Sequence, residues 1–173
     1  MSTPIVFFVP GTPAPGGSKT AYPMRYGDKS LIIRGRRIAK GKVWGMPIFS
    51  LVDAGGKANK AWRKATAAGG REVCKQQLSG QLLSGPLRVT FDFVMPRPKC
   101  HYGTGRNAAV LKASSPQYHV TKPDALKLAR STEDALTGAM WVDDCLIVSE
   151  GFCKRYAEHY ETPGAYISVE ALA

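Results

Sequence analysis

The stretch from Pro123 to Thr137 limits the possible folds more than any other part of the chain. On a helical wheel, Ala125, Leu128, Ala129, Thr132, Ala135 and Leu136 fall within one arc of about 120°. The segment therefore reads as a helix with one face that must be covered, and Gly138 ends it. A cover exists elsewhere in the chain. Leu87-Arg-Val-Thr-Phe-Asp-Phe-Val94 alternates with period two, the pattern of a strand with one buried side. Ile5-Val-Phe-Phe-Val9, Cys145-Leu-Ile-Val148 and Tyr166-Ile-Ser-Val169 read as further strands. A second helix is expected from Asn59 to about Leu83, built on Ala, Gln, Trp62, Val73 and Leu78, with Gly69-Gly70 weakening or kinking it.

The resulting order of strand, hairpin, helix, strand, helix, strand, strand within 173 residues predicts one α+β domain over residues 1–173. A mixed β-sheet with two main helices packed on it is the expected architecture. Between the first strand and the first helix, Pro10 to Gly17 breaks regular structure, because prolines lack donors and glycines admit unusual dihedrals. Residues 20–50 then alternate basic and apolar residues around an expected Arg34-Gly35-Arg36 turn, which reads as a basic hairpin. Residues 96–121 carry Arg97, Lys99, His101, Arg106, Lys112 and His119 among Gly, Ser and Pro, and read as a long, mobile, basic loop. No apolar run approaches the roughly 18 residues of a membrane helix, so a membrane protein is excluded. The opening Met-Ser-Thr-Pro shows no export leader, and a cytoplasmic protein is expected. Four scattered cysteines form no metal-ligand spacing and read as reduced thiols.

Charge narrows the partner. The net charge is +11, but it is unevenly placed: residues 1–122 hold 20 Lys/Arg against 4 Asp/Glu, and residues 123–173 hold 4 against 9. A basic body of this kind attracts phosphate backbones and gains from releasing their counterions. Five of the thirteen acids, Asp124, Glu133, Asp134, Asp143 and Asp144, fall within 21 residues. Clustered carboxylates raise one another's pKa and are best tolerated around a divalent cation. Mg²⁺ prefers hard oxygen ligands, and Mn²⁺ is its natural substitute. Asp124 alone also fits a helix-start acid favoured by the dipole, and Asp143-Asp144 alone also fits a polar turn.

The run Lys122-Pro-Asp124, Glu133-Asp-Ala-Leu-Thr-Gly138 and Trp141-Val-Asp-Asp144-Cys-Leu-Ile147 resembles the RusA family of Holliday junction resolvases. Phe7-Phe-Val-Pro-Gly11, Gly17-Ser-Lys19 and the 97–106 loop resemble a phage or prophage branch of that family. The resemblance implies a small homodimeric endonuclease that binds four-way DNA junctions and cuts with Mg²⁺, with no organic cofactor. It also assigns metal-ligand roles to Asp124 and Asp144. The family pattern has a second aspartate two residues after the first and a lysine four residues beyond; here those positions hold Leu126 and Arg130. Leucine cannot bind a metal. Glu133 shares Leu126's azimuth but lies about 10.5 Å further along the axis, where it suits a shifted or second metal. Arg130 keeps a cation opposite the scissile phosphate.

The expected catalytic residues are thus Asp124, Asp144, Arg130 and Glu133, and the expected metal ligands Asp124, Asp144, Asp143 and Glu133. DNA contacts are expected from Lys19, Arg34, Arg36 and Arg37 in the hairpin, Arg97, Lys99 and Arg106 in the loop, and Lys122 and Lys127 at the helix start. The missing carboxylate at Leu126 leaves three outcomes open: a nuclease with a rearranged acid set, a nuclease using Asp124 and Asp144 alone, or an accessory protein that binds branched DNA without cutting it.

Overall fold

A computed structural model describes residues 3–17, 19–26, 30–33, 36–38, 48–53 and 56–172. The chain divides into two compact units: Gly17–Gly56, and Met1–Gly16 together with Lys57–Ala173.

The larger unit is a mixed four-stranded sheet with two helices on one face. Its strands are β1 (Ile5–Pro10), β7 (Leu87–Met95), β8 (Ile147–Tyr156) and β9 (Gly164–Ala171), numbered with the five strands of the smaller unit in between, and the sheet order is β1-β9-β7-β8. β7 pairs parallel with β8, and the β1–β9 and β7–β9 pairs are antiparallel. The period-two reading of β7 holds: Leu87, Val89, Phe91 and Phe93 are fully buried, beside Ile167 and Val169 of β9 and Phe7 and Val9 of β1. Burying each of these large side chains stabilises the fold by roughly 1.5–3 kcal/mol.

The helices are α1 (Gly56–Gln77) and α2 (Ala125–Leu136). In α2, Leu128, Ala129, Thr132, Ala135 and Leu136 are buried as the wheel predicts, and Gly138, at φ +72°, ends the run in the left-handed region that favours glycine. Ser131, expected on the solvent arc, is buried instead. α1 covers a second side of α2: Asn59 Nδ2 donates to Ser131 Oγ at 2.6 Å and Trp62 Nε1 donates to Thr132 Oγ1 at 3.1 Å. α1 ends at Gln77, short of the expected Leu83, and holds Gly69-Gly70 within it. The helix runs through them, because they are sites of close approach: a Cβ on Gly70 would stand 2.6 Å from Leu136 Cδ2, and one on Gly69 3.3 Å from Val9 Cγ2. Trp141 is core, fully buried.

The basic hairpin expected over residues 20–50 is present in its middle, where Ile33 pairs antiparallel with Arg36, but the segment as a whole pairs differently. β2 (Lys19–Pro23) pairs with β6 (Phe49–Asp53), while β3 (Arg25–Tyr26), β4 (Ser30–Ile33) and β5 (Arg36–Ile38) form a separate antiparallel meander. The alternating pattern is thus shared among several paired strands instead of one hairpin. Arg34, with the turn assigned to it, lies outside the described residues; on the backbone, Arg36 and Arg37 stand opposite Ile33 and Ile32, and Lys19 opposite Asp53.

The segment read as a mobile loop is folded on itself. Short 3-10 turns at Lys99–His101 and Gly105–Asn107 are closed by Gly103 N–H to Val110 O and Lys112 N–H to His101 O, at 2.9 and 3.0 Å. Its far end adds to the edge of β8, where Tyr156 N–H donates to Gln117 O at 2.9 Å. Unpaired backbone groups in so long a loop are costly, and bonds within it and to β8 satisfy several of them.

The tight α1–α2 contact yields a prediction. Gly70→Val should destabilise the protein by about 1–3 kcal/mol through overpacking against Leu136. A fall in Tm of several degrees by calorimetry checks it; an unchanged Tm would mean that the helices separate freely at this point.

Candidate active site

Of the acids that the sequence singles out on two segments, Glu133 and Asp144 meet, where the end of α2 lies beside the start of β8. These elements run antiparallel. Glu133, in the last turn of α2, lies against Glu150 near the start of β8, while Lys154 further along β8 reaches the carbonyls of Thr121 and Pro123 just before α2. A surface pocket of about 320 Å³ is lined by Glu133, Asp144, Cys145, Ile147, Val148, Ser149 and Glu150. Asp144 opens a short 3-10 turn, Asp144–Leu146, that leads into β8.

Electrostatics mark this pocket as unusual. Burial, a proton shared with the Glu150 carboxyl, and the negative charges of Glu150, Asp144 and Asp134 together push Glu133 up to about 8. The helix dipole adds to the cost, since the C-terminal end of a helix disfavours anions and α2 has no basic residue in its last turn. Nothing in the fold requires three carboxylates here.

The other expected site residues are distributed as follows. Asp143 is fully exposed and caps the 3-10 turn: its carboxylate accepts Cys145 N–H at 3.0 Å, and that bond, with further help from the Cys145 and Asp144 side chains, holds it below the ordinary carboxylate range. It does not line the pocket. Asp124 is the N-cap residue of α2, but its carboxylate accepts no helix N–H; it pairs with Lys127 Nζ at 3.4 Å, both groups exposed. It does not line the pocket either, and stands nine residues, about 13.5 Å of helix rise, before Glu133. Arg130 is exposed, one turn before Glu133, with no ion pair among the described residues. Leu126 is 63% exposed on the same stripe.

Glu150 escaped the sequence reading. The signal was present: once β8 is extended past Val148, Glu150, Phe152 and Lys154 alternate onto the side of the strand that α2 crosses. Among the DNA contacts, Arg97 is committed to the fold, donating to Ala157 O at 2.8 Å and Pro116 O at 2.9 Å beneath a cation–π contact with Tyr156. Lys99, Arg106 and Lys122 are exposed and unpaired among the described residues.

The pocket's donors are hard carboxylate oxygens. Among the described residues no three His, Cys, Asp or Glu side chains close into a preformed metal cage. Oxygen donors of this kind are the type that a hard divalent cation accepts.

An acidic pocket beside a mixed sheet, in a strongly basic chain, is the outline of an α+β nuclease. The sequence profile described as Endodeoxyribonuclease RusA matches residues 56–170, and the chain belongs to that family. Its members are Holliday junction resolvases, generally dependent on a divalent metal. No curated protein matches the chain. The match takes in α1, α2, β7, β8 and all three pocket acids, while β1 and most of the smaller unit precede it. Among the described residues, no helix is long and apolar enough to cross a membrane.

The raised Glu133 has a measurable consequence. Because its folded-state pKa lies above its unfolded value, its contribution to stability is complete below the ordinary glutamate range and is lost as pH rises towards 8. In EDTA, wild type should lose stability between about pH 4.5 and 8, and Glu133→Gln should remove most of that loss. Allowing for solvent screening at the open pocket, the difference at pH 8 is on the order of 1 kcal/mol, or about 2–4 °C in Tm. Parallel pH–Tm curves for the two proteins would refute the crowding.

Proposed function

We propose that this chain is a Mg²⁺-dependent endonuclease, with Mn²⁺ as substitute, that hydrolyses phosphodiester bonds at four-way or otherwise branched DNA in recombination, repair or phage DNA processing. The observation that carries the reading is the convergence of Glu133, Asp144 and Glu150 in one pocket on an otherwise cationic chain. We assign residues 1–173 to one functional domain acting inside the cell as a homodimer, whose twofold axis would present two equivalent sites to two strands.

In this reading Asp144 and Glu133 hold the cation, with Glu150 as the third carboxylate of the set. The bound cation supplies positive charge to the attacking and leaving oxygens. The crowding that raises Glu133 would favour its neutral carboxyl without a cation, and a cation held there would favour the carboxylate. Arg130, one turn away, grips the non-bridging phosphate oxygens with its planar fork. Asp124 remains a proposed ligand, but of a second cation at the helix start, since about 13.5 Å of helix rise separates it from Glu133; only an exposed pairing with Lys127 occupies its carboxylate, and such pairs are worth about 0–1 kcal/mol. Lys99, Arg106, Lys122 and the cations Lys19, Arg34, Arg36 and Arg37 contact phosphates along the branch, reading shape and charge without base sequence. Asp143 serves as the cap of the turn that carries Asp144.

The accessory-protein reading has one observation in its favour, the exposed Leu126 where the family carries an aspartate. Cleavage assays on four-way and linear duplexes separate the two. Wild type should cut the four-way substrate with Mg²⁺, and Asp144→Asn and Glu150→Gln should each lose about 100-fold or more in rate while binding the junction as tightly in EDTA. Wild type that binds but never cuts, together with strong cleavage by Leu126→Asp, would establish the accessory reading instead.

A further inference from the structure

Lys154 lies on β8 four residues beyond Glu150 and on the same side of the strand. Its ammonium donates to Thr121 O and to Pro123 O, both at 2.6 Å, which occupies two of its three N–H donors. Its own carbonyl accepts His119 N–H at 3.2 Å, and Tyr156 N–H donates to Gln117 O at 2.9 Å. Residues 117–123 are therefore held to β8 by backbone bonds and by this one side chain. Asp124 is the next residue. Since its carboxylate accepts no N–H from α2, its own cap does not fix where it points. The joint before it does.

We propose that Lys154 is a positioning residue: from the strand that carries Glu150, it clamps the joint before Asp124, and so fixes the start of α2, with Asp124, against that strand. The proposal rests on the nuclease reading for its purpose, and on the two carbonyl contacts for its geometry. Lys154 does not itself touch the substrate. A surface lysine that meets phosphate would keep its donors facing outward, whereas here two point back at the main chain, and the residue is only half-exposed.

The test compares Lys154→Met and Lys154→Arg with wild type in two measurements. The first is hydrogen exchange of a peptide covering residues 117–128. The Met variant should exchange about tenfold faster there while the rest of the sheet keeps its protection. The second is cleavage of a four-way junction over a Mg²⁺ titration. The Met variant should need about fivefold or more Mg²⁺ for half-maximal rate, with junction affinity in EDTA within about twofold of wild type. Arginine, which can also donate to both carbonyls, should restore both values. Unchanged exchange in the Met variant overturns the clamp. Faster exchange with an unchanged Mg²⁺ requirement overturns the positioning role. If the Met variant does not fold, Lys154→Gln is read by the same criteria. A wild-type protein that cuts no branched substrate refutes the nuclease reading; the exchange result then decides the clamp by itself.

Discussion

Two glutamates held against each other at the C-terminal end of a helix, with Asp144 lining the same pocket, form an arrangement that the rest of the molecule has to tolerate. Glu133 is brought against Glu150 because α2 cannot rotate to relieve the contact. Leu128, Ala129 and Leu136 are sealed into the sheet, and Ser131 and Thr132 are tied to Asn59 and Trp62 of α1. Turning the helix by even one position would expose leucine and bury charge, a cost of several kcal/mol against a local repulsion on the order of one. Core packing thus fixes the acids, and an unfavourable electrostatic site persists on a rigid frame. Rigid elements hold functional groups more accurately than loops do.

The formal charge overstates the cations available to a polyanion. Arg155 is bound to Asp92 at 2.8 Å and to Glu161 through both terminal nitrogens at 2.6 and 2.7 Å. Arg97 and Lys154 donate to main-chain carbonyls, Arg88 pairs with Glu170, and Lys112 donates to Cys100 O at 2.8 Å. These cations hold the 97–123 segment and the sheet in place. Those left for phosphate are fewer, and a good share of the basic residues falls in the Gly17–Gly56 unit, which carries eight Lys/Arg and two acids. The net charge remains a fair guide to the partner's sign and a poor one to which residues meet it.

Period and turn chemistry made the larger unit legible. β7 and α2 appear nearly at their sequence bounds, because one buried face each is enough to impose periods of two and 3.6 residues. What failed were features set by tertiary contact. Gly69-Gly70 looks like a weak point in a helix until Leu136 and Val9 are seen to need the space. Ser131 looks exposed until a second helix covers it. β8 was cut short at Val148 because Ser149, Glu150 and Gly151 carry no strand propensity, yet parallel pairing with β7 extends it to Tyr156. That truncation hid both Glu150 and Lys154. The asymmetry of charge and the pairing of acids were visible in the sequence; the partner of Glu133 was not, since it depends on the direction in which one strand crosses one helix.

That crossing also bears on the leucine at position 126. A helix offers a stripe of positions to whatever lies opposite, and Leu126, Arg130 and Glu133 share one such stripe within about two turns. Because β8 runs antiparallel to α2, moving an acid down the stripe from 126 to 133 moves it towards the start of the strand, where Asp144 and Glu150 stand, and away from Lys154. An acid at the N-terminal end of the stripe would lie near a lysine; one at the C-terminal end finds two further carboxylates. A leucine at 126, where the resemblance implies an aspartate, therefore leaves the pocket's negative charge at the strand start. On the proposed reading it centres the cation's attraction at the strand start, with Asp124 left as the outlying acid at the helix start and the Lys154 clamp tying that start to β8.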